Sequence, residues 1–129
     1  ITTALRKTFT AAGEASVKPS YLGVLWSLWL NEGVKTSELG RSAGLEPSTM
    51  TGLLDRMERD GFVVRKPDPN DRRAQSIWLT SRGRKLKGVA TKLVGQTMAR
   101  VFRTFNNDEM GQLTDMLKQA LANAHEGNE

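Results

Sequence analysis

The densest chemistry in the sequence is cationic. Between residues 65 and 87, Arg65, Lys66, Arg72, Arg73, Arg82, Arg84, Lys85 and Lys87 are set against only Asp68 and Asp71. Groups at this density hold oxyanions, and nucleic acid is the commonest polyanion such a patch meets. A solvated basic surface with no partner has the same composition. Bond-making chemistry has little to work with, because the 129 residues contain no cysteine and one histidine, His125. A disulfide framework, a thiolate nucleophile, a thiol switch and a Cys-based zinc site are thereby excluded. Neither a His-rich metal cluster nor a Ser-His-Asp relay can be assembled. The expected protein is not an enzyme and carries no metal and no cofactor.

The charge is also localised. Of the net +5, residues 1–40 carry +1, residues 41–92 carry +6 and residues 93–129 carry −2. The length is that of one domain, and 38% apolar with 26% charged residues suits a globular chain. There is no apolar run of about 18 residues and no basic-then-apolar leader, although Ile1 is not an initiator; a soluble, cytoplasmic protein is expected.

The elements that must position these groups follow from periodicity. Ile1, Leu5, Phe9 and Ala12 predict a helix over 1–15. Pro19 suits the first turn of a second helix, carrying Leu22, Leu25, Trp26, Leu28 and Trp29 on more than one face and ending near Asn31-Glu32-Gly33. Thr36-Ser37 can cap a short helix over 36–43, which Gly44 breaks. From Pro47, the spacing of Met50, Leu53, Leu54 and Met57 predicts a helix with one buried face, ended by Gly61. Two short helices around a glycine turn have helix-turn-helix spacing. Phe62–Lys66 and the alternating Ser76–Leu79 read as strands of a hairpin whose tip is Pro67-Asp68-Pro69-Asn70-Asp71. Thr80 can cap a long helix reaching Phe105, and Asn106–Glu109 starts a last one carrying Met110, Leu113, Met116, Leu117, Ala120, Leu121 and Ala124. The order is α-α-α-α-β-β-α-α: mostly α with a small β-hairpin.

Asp71-Arg72-Arg73-Ala74-Gln75-Ser76-Ile77-Trp78-Leu79-Thr80-Ser81-Arg82-Gly83 resembles the D-x-R-[AS]-x-x-[IV]-x-L-T-x-x-G wing motif of the MarR family of bacterial winged helix-turn-helix transcription regulators. The preceding Leu54–Val63 is similar to that family's recognition-helix end and first wing strand. The resemblance covers the chain in element order, with its specific motifs between 47 and 83. It implies a single domain over 1–129, with 1–18 and 84–129 as dimerisation helices and 19–83 as the winged helix-turn-helix. It also implies a homodimer, most often a repressor, on a pseudo-palindromic operator in double-stranded DNA. Many relatives release DNA when a small aromatic or phenolic acid binds. The stripes at 1–15, 84–105 and 108–124 agree with a dimer, since they offer more apolar surface than one small chain covers; packing on each other within one chain is the alternative.

Within this reading Ser48, Thr49 and Thr51 meet base edges or phosphates as the helix from Pro47 enters the major groove, or Ser48 and Thr49 merely cap it. Arg56 reaches a phosphate or guanine edge, or pairs with Asp55, Asp60 or another acid. The wing-tip arginine of the family, which enters the minor groove, matches Arg72 and Arg73, with Asp71 orienting them through a bidentate pair. Lys35, Thr36 and Ser37 precede the first motif helix, where they can clamp phosphate. Trp26, Trp29, Met98 and Phe102 either line a ligand pocket or belong to the core. Two residues depart from the family: Gly52, where a longer polar or basic side chain is common, and Trp78, which alternation turns away from Ile77 and Leu79 to cover the hairpin or meet another element. A metal-sensing repressor of the ArsR type is disfavoured by the missing cysteines. A winged-helix protein-interaction module is the remaining alternative, though it has no need of Arg72-Arg73 on a turn.

Overall fold

The computed structural model describes residues 1–126, with side chains described as far as 124; the side chain of His125 and the last three residues of the expected 84–129 region lie outside that range. The chain forms two compact units, Ile1–Thr97 and Met98–Glu129.

In the first unit, α1 (Thr2–Ala11) buries Thr8 and Phe9. It stops short of residue 15 because Gly13 takes φ +81°, a left-handed turn open to glycine, and its N–H closes on the Thr10 carbonyl. A 3-10 turn over Pro19–Tyr21 runs into α2 (Leu22–Leu30), whose Val24, Leu25 and Leu28 are buried. A two-residue strand then appears that the sequence pattern does not announce. This β1 (Val34–Lys35) pairs antiparallel with Ile77 and Ser76 of β3, so the expected hairpin becomes a three-stranded sheet of order β1-β3-β2.

The motif helices are α3 (Thr36–Ala43) and α4 (Pro47–Arg59). Gly44, at φ +70°, closes α3. Met50, Leu53, Leu54 and Met57 of α4 are buried as their spacing predicts. Gly61, at φ +84°, turns the chain into β2 (Val63–Pro67), which pairs with β3 (Gln75–Leu79) in the register Val63↔Leu79 to Pro67↔Gln75. In α5 (Ser81–Val101), Thr80 Oγ1 accepts the Gly83 N–H at 3.0 Å, a side-chain cap of the expected kind. Gly83 is where the chain has no room: a Cβ there would lie 2.3 Å from the Phe62 carbonyl oxygen.

The core of this unit joins Phe9, Tyr21, Leu25, Leu28, Leu39, Met50, Met57, Phe62 and Ile77 with Leu86, Ala90 and Leu93 of α5. Phe9 and these three α5 residues are thus buried within the chain itself, while Ile1 and Val89 of the same stripes stay 66 and 42% exposed. A hydroxyl pair, Thr97 Oγ1 to Thr8 Oγ1 at 2.9 Å, further ties α5 to α1.

The second unit begins within α5, which ends at Val101 rather than reaching Phe105. Asn106 opens α6 (Asn107–Glu126) with a capping box: its Oδ1 accepts the Glu109 N–H at 2.8 Å, and Glu109 Oε1 accepts the Asn106 N–H at 3.0 Å. A residue committed to this cap cannot also continue the preceding helix. No helix among the described residues is long and apolar enough to cross a membrane.

Candidate nucleic-acid interface

The first turn of α4 is exposed at Ser48, Thr49 and Thr51. Glu46 is the N-cap residue and no side chain caps the helix, so the capping role considered for Ser48 and Thr49 is not taken up. Thr51 Oγ1 donates to the Pro47 carbonyl at 3.1 Å, which leaves its oxygen lone pairs outward. One turn on, Arg56 Nη1 lies beside Gly52, at an ordinary contact distance of 3.6 Å from where a Cβ would stand.

The acids around Arg56 are engaged elsewhere. Asp55 Oδ1 and Glu58 Oε1 hold Arg65 Nη2 at 2.6 and 3.1 Å, while Asp60 takes Arg59 at 3.6 Å and the Tyr21 hydroxyl at 2.5 Å. Arg56 is therefore exposed with no ion pair among the described residues. The hydrogen bond from Arg65 holds the Glu58 carboxyl below its usual range, against a smaller opposing effect of burial. These pairings sort the basic stretch. Arg65 is tied to α4, and Arg84 is tied to Glu32 at 3.1 Å. Arg72 and Arg73 stand exposed at the hairpin tip with no acid partner among the described residues.

Asp71 does not form the expected bidentate pair with those arginines. Its Oδ1 accepts the backbone N–H of Arg73 at 3.0 Å, and its Oδ2 lies 3.7 Å from Lys35 Nζ. The local bond two residues on wins because an aspartate in a turn reaches that N–H with little loss of freedom. The consequence is a tip with a fixed backbone and free guanidinium groups. The Lys35 contact also joins β1 to the tip.

The cap expected from Thr36-Ser37 is absent as well. Lys35 is the N-cap residue of α3, Ser37 is exposed, and Thr36 Oγ1 lies 3.5 Å from the Gln75 carbonyl, at the limit of a hydrogen bond. A cleft of about 1020 Å³ opens between these elements, lined among others by Lys35, Thr36, Arg41, Thr51, Arg72 and Arg73. Four cations and one acid, Glu46, line it. Sequence reasoning missed Arg41, whose only signal is a basic residue in the last turn of α3. The motif helices approach closely behind the cleft because Gly40 leaves its Cβ position 3.0 Å from Met50 Cγ.

The proposed pocket residues divide. Trp26 and Trp29 meet edge-to-face at 5.4 Å; Trp26 is 43% exposed and Trp29 Nε1 donates to the Gly83 carbonyl at 2.9 Å. Met98 and Phe102 belong to the other compact unit, where Phe102 stands edge-on to Phe105. The structure also places Trp78. Its ring covers Gly33, where a Cβ would come within 2.6 Å, its Nε1 donates to Ser76 Oγ at 3.0 Å, and Lys66 Nζ sits 5.2 Å from the ring centroid.

Comparison with known proteins adds four findings. Residues 18–74 match the sequence model of the MarR family. The chain is 47% identical over 70 residues to the HTH-type transcriptional regulator TtmR of Methylorubrum extorquens, a match covering 54% of this chain but only 35% of that protein. It is 31% identical over 110 residues to the organic hydroperoxide resistance transcriptional regulator of Bacillus subtilis, covering 85% of this chain and 73% of that one. Among solved structures, the transcriptional repressor CouR bound to a 23-mer DNA duplex superposes with a TM-score of 0.79 at 26% identity, over 92% of this chain and 84% of that one.

Proposed function

The chain belongs to the MarR family of transcriptional regulators, and we propose that it is a homodimeric repressor that binds a pseudo-palindromic operator in double-stranded DNA and is relieved by a small ligand. One observation carries the DNA-binding reading: the exposed first turn of α4 shares, through Thr51, a cleft with Arg72 and Arg73, which no acid neutralises among the described residues. That CouR, so similar in fold, is a repressor solved on a DNA duplex supports it.

In this reading α4 enters the major groove by its first turn. Thr49 and Thr51, with Ser48, meet base edges or thymine methyls, and Arg56 follows the groove to a phosphate or guanine edge. Arg72 and Arg73 enter the adjoining minor groove, where a guanidinium suits a narrow, negative A·T tract better than an ammonium does. Asp71 locks the tip backbone beneath them, and Lys35, Thr36 and Ser37 hold a phosphate. Residues 19–83 thus read DNA, while 1–18 and 84–129 join the two copies. The ligand is a small aromatic or phenolic acid, and in the first unit the edge-to-face pair Trp26 and Trp29 offers it an aromatic surface.

Titrations over several salt concentrations, on a duplex selected by the protein and on its single-base variants, test the division of labour. Arg72→Ala and Arg73→Ala are expected to lower the salt slope by about one unit per lost phosphate contact. Thr49→Ala and Thr51→Ala are expected to alter preference among base pairs, at about 1–3 kcal/mol per lost base contact. If folded wing variants keep both affinity and salt slope, the wing assignment is wrong and the protein-interaction reading takes its place.

A further inference from the structure

The turn that leaves α4 is held from outside by one short stretch of chain. Its three consecutive carbonyls are all taken by the residues that open α5: Phe62 by the Thr80 N–H at 3.0 Å, Gly61 by Thr80 Oγ1 at 2.6 Å, and Asp60 by Arg82 Nη1 at 2.5 Å. Arg82 reaches further. Its Nη2 donates to Ser16 Oγ at 2.5 Å in the segment between α1 and α2, and its guanidinium carbon lies 4.4 Å from the Phe62 ring centroid. No acid pairs with it among the described residues. One planar group thus joins the end of α4, the α1–α2 connection and the start of α5. A lysine, with a single point-like ammonium, could not span these acceptors while lying on the ring.

Arg82 sits at the opposite end of α4 from Ser48 and Thr49. At 1.5 Å rise per residue, this helix of 13 residues is about 20 Å long, so a tilt of about 3° at its C-terminal end moves its first turn by about 1 Å. A cation placed there acts on base contacts only through the helix axis. We infer that Arg82 is a positioning residue for DNA recognition, setting the tilt of α4 against α5 without touching DNA. The inference rests on the reading of α4 as the recognition helix.

The test uses the full chain and a duplex that the wild-type protein selects from a random pool. Arg82→Met, Arg82→Lys and Ser16→Ala are compared for thermal unfolding, for affinity at several salt concentrations, and for discrimination against the same duplex with one base pair inserted between half-sites. Arg82→Met, assayed well below its unfolding transition, is expected to bind roughly tenfold more weakly with an unchanged salt slope and blunted discrimination against the insertion. Arg82→Lys and Ser16→Ala shift the same readouts in the same direction by less. Loss of stability alone would not move the discrimination. Unchanged affinity and discrimination in folded Arg82→Met overturn the inference, as does a salt slope lowered by about one per subunit, which would make Arg82 a phosphate contact. Should Arg82→Met not fold, unchanged binding by both milder variants overturns it equally. A wild-type chain that selects no duplex would instead refute the DNA-binding reading itself.

Discussion

In the first compact unit Leu25, Leu28, Leu39, Met50, Met57, Phe62 and Ile77 are at most 1% exposed, whereas on α6 in the second Met116, Leu117 and Leu121 stand 60, 61 and 60% exposed. Both regions are written with apolar residues at helical spacing. The difference lies in what each stripe finds within its own chain. Residues 1–97 supply facing helices and a sheet that close over these core residues, while Leu30 and Val89 stay 80 and 42% exposed at the margin. The α6 stripe carries large side chains that gain nothing while solvated, which is the physical case for covering them with a second copy. A regular apolar period therefore establishes a helix and its sticky face, but not whether the covering surface comes from the same chain.

The largest expected effect separates the two regions directly. Leu117→Glu with Leu121→Glu puts two carboxylates per subunit where the proposed dimer would bury leucines, each worth roughly 1.5–3 kcal/mol on full burial. Sedimentation equilibrium is expected to show monomers. All three tryptophans lie in residues 1–97, so their emission should stay native while assembly is lost. A wild-type chain that sediments as a stable folded monomer, or a double variant that still assembles, would remove α6 from the interface.

Next in size is Gly83→Ala, aimed at the closed region. The added Cβ would lie 2.3 Å from the Phe62 carbonyl oxygen, which itself accepts the Thr80 N–H, so neither side can move without losing a bond. Overpacking of this kind costs about 1–3 kcal/mol, and urea unfolding followed by tryptophan emission should show a loss near the upper end. A loss below about 0.5 kcal/mol, the scatter of ordinary surface substitutions, would mean that the turn after α4 is looser than its geometry.

Gly83 also shows what the sequence can carry. Its place in the L-T-x-x-G pattern was legible, but the reason for it, a backbone carbonyl from residue 62, was not. The same division runs through the molecule. Gly44 and Gly61 as helix stops, the buried face of α4 and the hairpin were all readable, because each depends on residues a few positions apart. β1 was not, since two residues have no period and their partners Ile77 and Ser76 lie far along the chain. Asp71 was misread for a different reason: its type suits both an arginine pair and a local turn, and only the backbone path decides. Trp78 needed Gly33, whose bare Cα leaves the space its ring fills.

A smaller effect separates the regions by pH. Burial pushes the Tyr21 hydroxyl above its usual pKa of 10.0, and its hydrogen bond to Asp60 pushes it further. A group raised on folding stabilises fully below its unfolded value and loses that contribution as pH rises through the folded one. Tyr21→Phe should therefore cost about 1.5–3 kcal/mol at neutral pH, the usual worth of a hydrogen bond to a charged group, with the gap to wild type narrowing above pH 10. Glu32 has the opposite sign. The Arg84 hydrogen bond, aided by the Leu79 N–H, holds its carboxyl below the usual 4.5, so its contribution is present above that value and fades as pH falls below it. Glu32→Gln should flatten the acid limb alone. Urea unfolding followed by tryptophan emission reads both limbs from residues 1–97. A gap between Tyr21→Phe and wild type that stays constant from pH 7 to 11 would show the hydroxyl to be unshifted.

The smallest perturbation is a few oxygen atoms. With no cysteine among the 129 residues, mild peroxide has no thiol to convert, and any loss of DNA binding should not be restored by dithiothreitol. Methionine is what remains to be oxidised, and the two regions present it differently. Met50 and Met57 are 1 and 0% exposed within the core of residues 1–97, while Met116 stands 60% exposed on α6. Peptide mapping by mass after brief peroxide treatment should find sulfoxide at Met116 first and none at Met50 or Met57 while the fold persists. Sulfoxide makes that side chain polar, so each oxidised Met116 should also weaken assembly. The proposed dimer adds a concentration dependence: covering α6 with a second copy slows oxidation at Met116 as the protein is concentrated through its assembly range, and leaves Met50 and Met57 unaffected. Sedimentation that shows dimers while Met116 oxidises at one rate at every concentration would place the interface elsewhere than on the α6 stripe.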